Sequence, residues 1–78
     1  MSKNVEQTIK ELMSIILNID AGKIDDSTSM DNTPGWDSAN HINLVLALEE
    51  EFSISFEVSE FEMMVSFFDI VQVVGAKI

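Results

Sequence analysis

The chain has 78 residues, enough for a single domain, and its 14 Asp and Glu against four Lys give a formal net charge of −10. That charge repels phosphate backbones and anionic lipid headgroups, which argues against nucleic acid and membrane surfaces as partners and favours basic protein surfaces. The lack of cysteine and the single histidine exclude disulfides and multi-histidine metal sites, and no apolar run is long enough for a secretory signal or a bilayer span.

The first predicted element is an amphipathic helix over residues 5–19. Its apolar residues recur at steps of three and four, as they do along one face of a helix. Ser2 or Asn4 is expected to cap its N-terminus, since short polar side chains accept hydrogen bonds from first-turn N–H groups.

A long loop over residues 20–36 follows, rich in Asp, Ser, Gly and Pro. Those residues favour turns, and we expect Ile24 and Met30 to anchor the loop inward. The loop's Asp residues lack the alternating spacing of a calcium-binding loop, so no metal site is predicted.

The second helix is predicted to begin at Asp37 or Ser38, either of which is a suitable N-cap, and to end at about Phe52. Its apolar positions are spread over a wide surface. Three glutamates at residues 49–51 lie at the C-terminal end, where the helix dipole disfavours negative charge. Such placement suggests a role other than helix formation.

Residues 53–58 alternate apolar and polar but have no partner strand, so they are predicted to form an extended connector. Ser59 is predicted to open, through a capping box, a short third helix that ends at Met63 or Met64. Ser66 should cap the last helix. Its apolar stripe comprises Phe67, Ile70, Val71 and Val74. The expected fold is all-α: a small antiparallel four-helix bundle with three longer helices, a short third helix and a long loop between the first two.

The sequence Gly-Trp-Asp-Ser-Ala at residues 35–39, with the apolar and acidic run over residues 42–52, resembles the acyl carrier proteins. Their signature is Asp-Ser-Leu at the start of the second helix, and the resemblance extends over the whole chain. It implies a carrier, not an enzyme, to which a phosphopantetheinyl transferase attaches 4'-phosphopantetheine from coenzyme A. The attachment point would be Ser38, flanked by Asp37, and acyl groups would be carried as thioesters.

The chemistry of a helix start agrees with that placement. A phosphodiester on Ser38 would meet unpaired backbone N–H groups and the positive end of the helix dipole. The alternative is that Ser38 only caps the helix. A hydrolytic pair of Ser38 with His41 is disfavoured because no glycine-flanked nucleophile turn surrounds the serine, so a solvated or half-buried histidine is expected.

The resemblance also implies a docking face on the second helix, formed by Ala39, Leu46, Glu49 and Glu50. Acyl-loading and acyl-using enzymes would contact it through Arg and Lys, and the alternative is an ordinary solvated face. Ala39 replaces the usual leucine and Asn43 a frequent glutamate, which favours a dedicated carrier of a specialised pathway over the housekeeping carrier of fatty acid synthesis.

Two questions stay open at the sequence level. Leu48, Phe56, Phe61 and Met64 either form plain core or line a space between the second and third helices that admits an acyl chain. The cargo is expected to be an acyl intermediate of fatty acid, polyketide or related biosynthesis. The alternatives are an aminoacyl or peptidyl carrier with the same Ser38 attachment, or an unmodified helical interaction module. We expect a cytoplasmic monomer with residues 1–78 as one domain.

Overall fold

The computed structural model describes residues 4–78 as four α-helices joined by short connections and one long loop, which confirms the predicted all-α bundle. The loop contains two short 3-10 turns, Ala21–Lys23 and Met30–Asn32. The helices are α1, Val5–Leu17; α2, Ser38–Phe52; α3, Val58–Met63; and α4, Phe67–Lys77.

The first helix has the predicted cap but ends two residues early. Asn4 accepts a hydrogen bond from a first-turn N–H, as expected, whereas the alternative cap Ser2 lies outside the described residues. The helix stops at Leu17 because Asn18 adopts a left-handed conformation with φ 57°. Asparagine tolerates that conformation better than most residues. Ile19 still packs against the core.

The long loop is fastened to the junction of α3 and α4 by backbone hydrogen bonds. The N–H of Met30 donates to the Val65 carbonyl at 3.0 Å, and the N–H of Phe67 donates to the Thr28 carbonyl at 2.9 Å. Ile24 is buried, as predicted, while Met30 is only half-buried. Through Met30, the loop therefore borders the space next to the first turns of α2.

The third helix begins one residue before the predicted Ser59. Glu60, not the predicted serine, supplies the contact that stabilises its start, because its carboxylate accepts a hydrogen bond of 2.9 Å from the Glu57 N–H. A glutamate at the third helical position can reach back in this way. The Ser66 cap of α4 is confirmed by a 3.0 Å bond from the N–H three residues further on.

The core is formed by side chains of α1, α2 and α4, together with residues of the loop and the residue that follows α3. Twelve apolar side chains are buried in it: Ile9, Met13, Leu17, Ile24, Trp36, Leu44, Val45, Leu48, Met64, Phe67, Ile70 and Val74. The predicted α4 stripe is buried except for Val71, which is half-buried.

Candidate functional site at the start of α2

Ser38 is the first residue of α2 and is exposed. Asp37 is the N-cap: its carboxylate accepts a 2.9 Å hydrogen bond from the Asn40 N–H. The backbone ladder of α2 begins with the His41 N–H, which donates to the Asp37 carbonyl at 2.8 Å. The N–H groups of Ser38 and Ala39 precede that bond. Of the two N-caps that the sequence offers, the structure therefore uses Asp37 and not Ser38.

The turn that leads into α2 is held against the end of α1. A Cβ atom on Gly35 would come within 2.5 Å of the Leu17 carbonyl oxygen, so no larger residue fits without a shift of backbone. The Gly35 carbonyl also accepts a 2.8 Å hydrogen bond from the Asn40 side chain. These contacts fix the position of Ser38 relative to the rest of the bundle.

His41 is buried, with 4% of its surface exposed, so the expectation of a solvated or half-buried side chain was wrong. The Trp36 indole N–H donates to its Nδ1 at 3.0 Å, and its Nε2 lies 2.9 Å from the Phe61 carbonyl oxygen. An indole only donates and a carbonyl only accepts, so the ring carries its hydrogen on Nε2. Both nitrogens are engaged away from Ser38, which leaves no base for a hydrolytic Ser–His pair.

Two shallow grooves run between α2 and α3. The proximal groove, of about 330 Å³, is bordered by Ser38 itself. Its other lining residues are Met30, His41, Ile42, Phe61, Glu62 and Val65. The distal groove, of about 390 Å³, lies further along α2. It is lined by Ile42, Val45, Leu46, Glu49, Phe56, Glu57, Val58 and Phe61. Both grooves have mostly apolar walls with carboxylates among their lining residues.

The four residues expected to form a docking face differ in their surroundings. Ala39 and Glu50 are exposed, and Leu46 is 58% exposed although it is a large apolar residue. Glu49 is half-buried, and its carboxylate accepts a 2.8 Å hydrogen bond from the Phe56 N–H. Glu49 thus holds the connector that follows α2, a structural contact that sequence reasoning missed.

A charged contact lies beyond the grooves, between α3 and α4. Lys77 Nζ lies 2.9 Å from a carboxylate oxygen of Glu60. The Glu57 N–H and then Lys77 lower the pKa of Glu60 below its usual value of 4.5. Among residues 4–78, no group of three or more acidic, histidine or cysteine side chains is arranged to hold a metal ion. Nor is any helix of that part long and apolar enough to cross a membrane.

Comparison with known proteins gives the same family from two directions. The family model of the phosphopantetheine attachment site matches residues 7–73. The acyl carrier protein of Buchnera aphidicola from Acyrthosiphon pisum is 38% identical over 60 residues, which cover 77% of this chain and 75% of that protein. The chain belongs to the acyl carrier protein family.

Two further relatives bear the same name. The acyl carrier protein of Clostridium acetobutylicum is 35% identical over 72 residues, or 92% of this chain and 94% of that protein. That of Buchnera aphidicola from Schizaphis graminum is 43% identical over 51 residues, or 65% of each chain. As a member of this family, the chain carries acyl groups on phosphopantetheine, and the family consists of carriers, not catalysts.

Proposed function

We propose that Ser38 Oγ is the attachment point of phosphopantetheine and that the thiol of the attached arm carries the acyl group. The observation that carries this proposal is that Asp37, and not Ser38, makes the capping hydrogen bond at the start of α2. Asp37 caps the helix, and the exposed Ser38 hydroxyl has no structural task there. In the attachment step, Ser38 Oγ would lose its proton and bond to the phosphorus that bears pantetheine in coenzyme A. The P–O bond that links this phosphorus to the rest of the diphosphate would break, and adenosine 3',5'-bisphosphate would leave.

In that step the protein itself would supply N–H groups that bind the phosphodiester and the positive end of a helix dipole. A phosphodiester at Ser38 would lie at the positive end of the 15-residue helix α2, next to the N–H groups of Ser38 and Ala39. Both ring nitrogens of the neighbouring His41 are engaged with Trp36 and Phe61, so this histidine is not available as a base. The transferase would have to remove the proton, in keeping with a chain that is not an enzyme.

Partner enzymes would contact the outer face of α2, which we define as Ala39, Ile42, Leu46 and Glu50. Leu46 and Ile42 offer exposed apolar contacts, and Glu50 with the net charge of −10 would attract Arg and Lys. Such complementarity mainly raises association rates, which suits a carrier that must leave each enzyme quickly. We place this carrier in the cytoplasm as a monomer, with residues 1–78 as one domain.

The proposal is tested by incubation with octanoyl-coenzyme A and a phosphopantetheinyl transferase of broad specificity, followed by intact mass measurement. The wild type should gain one octanoyl-phosphopantetheine, and hydroxylamine should then remove the octanoyl group, as expected of a thioester. Ser59→Ala, a matched change at another exposed serine, should load equally well. Ser38→Ala should gain nothing, and loading of that variant would overturn the assignment.

A further inference from the structure

The junction of α3 and α4 carries an exposed apolar surface outside the core. Eight large apolar side chains are exposed among residues 4–78, and three of them fall within six consecutive residues at this junction. Met63, Val65 and Phe68 are 60%, 42% and 49% exposed, whereas their neighbours Met64 and Phe67 are buried. We call the three exposed side chains the junction patch. Such a grouping on the surface of a small domain is typical of a contact site.

The backbone of the junction patch is held in place by the long loop. The Val65 carbonyl accepts a 3.0 Å hydrogen bond from the Met30 N–H, and the Phe67 N–H donates to the Thr28 carbonyl at 2.9 Å. The patch is therefore exposed in an ordered part of the chain and not at a frayed end. A surface that is already ordered loses little conformational entropy when a partner binds to it.

The junction patch lies beside the proposed attachment point. Val65 lines the proximal groove together with Ser38 and with Ile42, which belongs to the outer face of α2. The groove thus has an exposed apolar side chain from α2 on one side and another from the junction patch on the other. A protein that contacted both surfaces would cover the region of Ser38.

The charges around the junction patch indicate which kind of surface fits it. Glu62, which directly precedes the patch, is exposed and lines the proximal groove. Asp69 directly follows it. A second copy of this chain would bring another net charge of −10, and anionic lipid would be repelled in the same way. An apolar protein surface with Arg or Lys at its rim complements both the patch and the carboxylates.

We infer that the junction patch is a second docking surface for the phosphopantetheinyl transferase that loads Ser38. This inference rests on the proposed attachment at Ser38 and adds a surface separate from the outer face of α2. The transferase fits because the phosphorus that it transfers must come within bonding distance of Ser38 Oγ, so its surface has to cover the residues around that serine. Enzymes that act on the thiol work at the far end of a flexible arm, where this requirement does not apply.

The test compares the loading kinetics of wild-type and variant carriers with coenzyme A and a phosphopantetheinyl transferase of broad specificity. Met63→Gln combined with Phe68→Gln should lower kcat/KM by about tenfold, mainly through a higher KM, because apolar contact is lost while the reacting groups stay unchanged. Ile78→Gln is the matched control. Ile78 follows α4 and is 60% exposed, as Met63 is, and its variant should load like the wild type.

An unchanged kcat/KM in the double variant would overturn the inference, and so would an equal loss in Ile78→Gln. Light scattering should show a monomeric wild type. A wild-type dimer that the double variant abolishes would assign the patch to a second copy and would also overturn the inference. If the double variant does not fold, each single variant should still lose about threefold in kcat/KM. A wild type that is not loaded at all would overturn the proposed attachment itself, whereas a defect confined to the patch variants leaves that attachment intact.

Discussion

Both faces of α2 carry apolar side chains, but one face is buried in the core and the other is exposed. The inner face, which consists of His41, Leu44, Val45 and Leu48, is buried against the rest of the bundle. On the outer face, Ile42 and Leu46 are 49% and 58% exposed. The wide apolar surface of this helix therefore exceeds what the core can cover. We propose that these neighbouring exposed apolar side chains, which lie among carboxylates, form a surface for transient partners, whereas the inner face packs into the core.

The largest expected effect comes from truncating the inner face. Leu48→Ala should lower the free energy of unfolding by about 2–5 kcal/mol, because it removes a fully buried side chain and leaves a cavity. Leu46→Ala, two residues away on the outer face, should change it by less than about 0.5 kcal/mol. Urea unfolding followed by circular dichroism measures both. Equal losses in the two variants would mean that the faces are not distinct.

A smaller effect, on rates alone, is expected from charge reversal on the outer face. Glu50→Lys should slow loading by a phosphopantetheinyl transferase by roughly tenfold at low salt, because attraction to a basic partner is lost. Glu11→Lys, the same charge change at an exposed position on α1, serves as the control. Similar slowing in both variants would show that total charge, and not the outer face, determines docking.

Glu49 differs from Glu50 because its carboxylate accepts a hydrogen bond from the Phe56 N–H. Glu49→Ala should lower the free energy of unfolding by about 1 kcal/mol, whereas Glu50→Ala should leave it nearly unchanged. Chemical denaturation of the two single variants measures the difference. If Glu50→Ala destabilises the fold as much as Glu49→Ala, the connector does not depend on the Glu49 contact.

Salt should act in opposite directions on the fold and on docking. The net charge of −10 repels itself in the compact state, so raising sodium chloride from low concentration to 0.5 M should raise the melting temperature by about a few degrees. The same salt should slow loading because it screens attraction to the partner. Parallel melting and loading series measure both. A melting temperature indifferent to salt would show that the carboxylates do not strain the fold.

The smallest effect is expected at the α3–α4 contact, away from both faces of α2. The pKa of Glu60 is lower in the folded chain than its usual 4.5, so its contribution to stability is present above that value. The contribution is lost as the pH falls through the folded pKa. Glu60→Gln should therefore melt slightly below the wild type at neutral pH, and the two should converge in acid. If the difference in melting temperature persists in acid, it arises from packing and not from the charge of Glu60.

Local signals in the sequence predicted the helices and several of their caps. Asn4, Asp37 and Ser66 each accept a hydrogen bond from the N–H group three residues further along the chain, so their roles can be read from short patterns. The contact of His41 with Phe61 could not be read in that way. Its Phe61 partner is a backbone carbonyl 20 residues further along the chain. A backbone group carries no side-chain identity, and only the packing of α3 against α2 brings it close.

The same limit applies to the early end of α1 and to Glu49. Asparagine at residue 18 is compatible with a left-handed helix end, but the periodic apolar pattern continues to Ile19 and so predicts a longer helix. The acidic run at residues 49–51 is unfavourable at a helix C-terminus, whereas the hydrogen bond of Glu49 with the Phe56 N–H depends on the path of the connector. Tertiary contacts, and not the local preferences of the residues, determine where α1 ends and what Glu49 binds.

The central claim is that the Ser38 hydroxyl at the start of α2 receives the phosphopantetheine group. Its most direct test is fragmentation mass spectrometry of the loaded wild type, because the loss of loading in a variant could also arise from weakened contact with the transferase. Fragment ions should place the whole added mass on Ser38, with Ser27, Ser29 and the serines of residues 53–66 unmodified. Added mass on any other side chain would contradict the account.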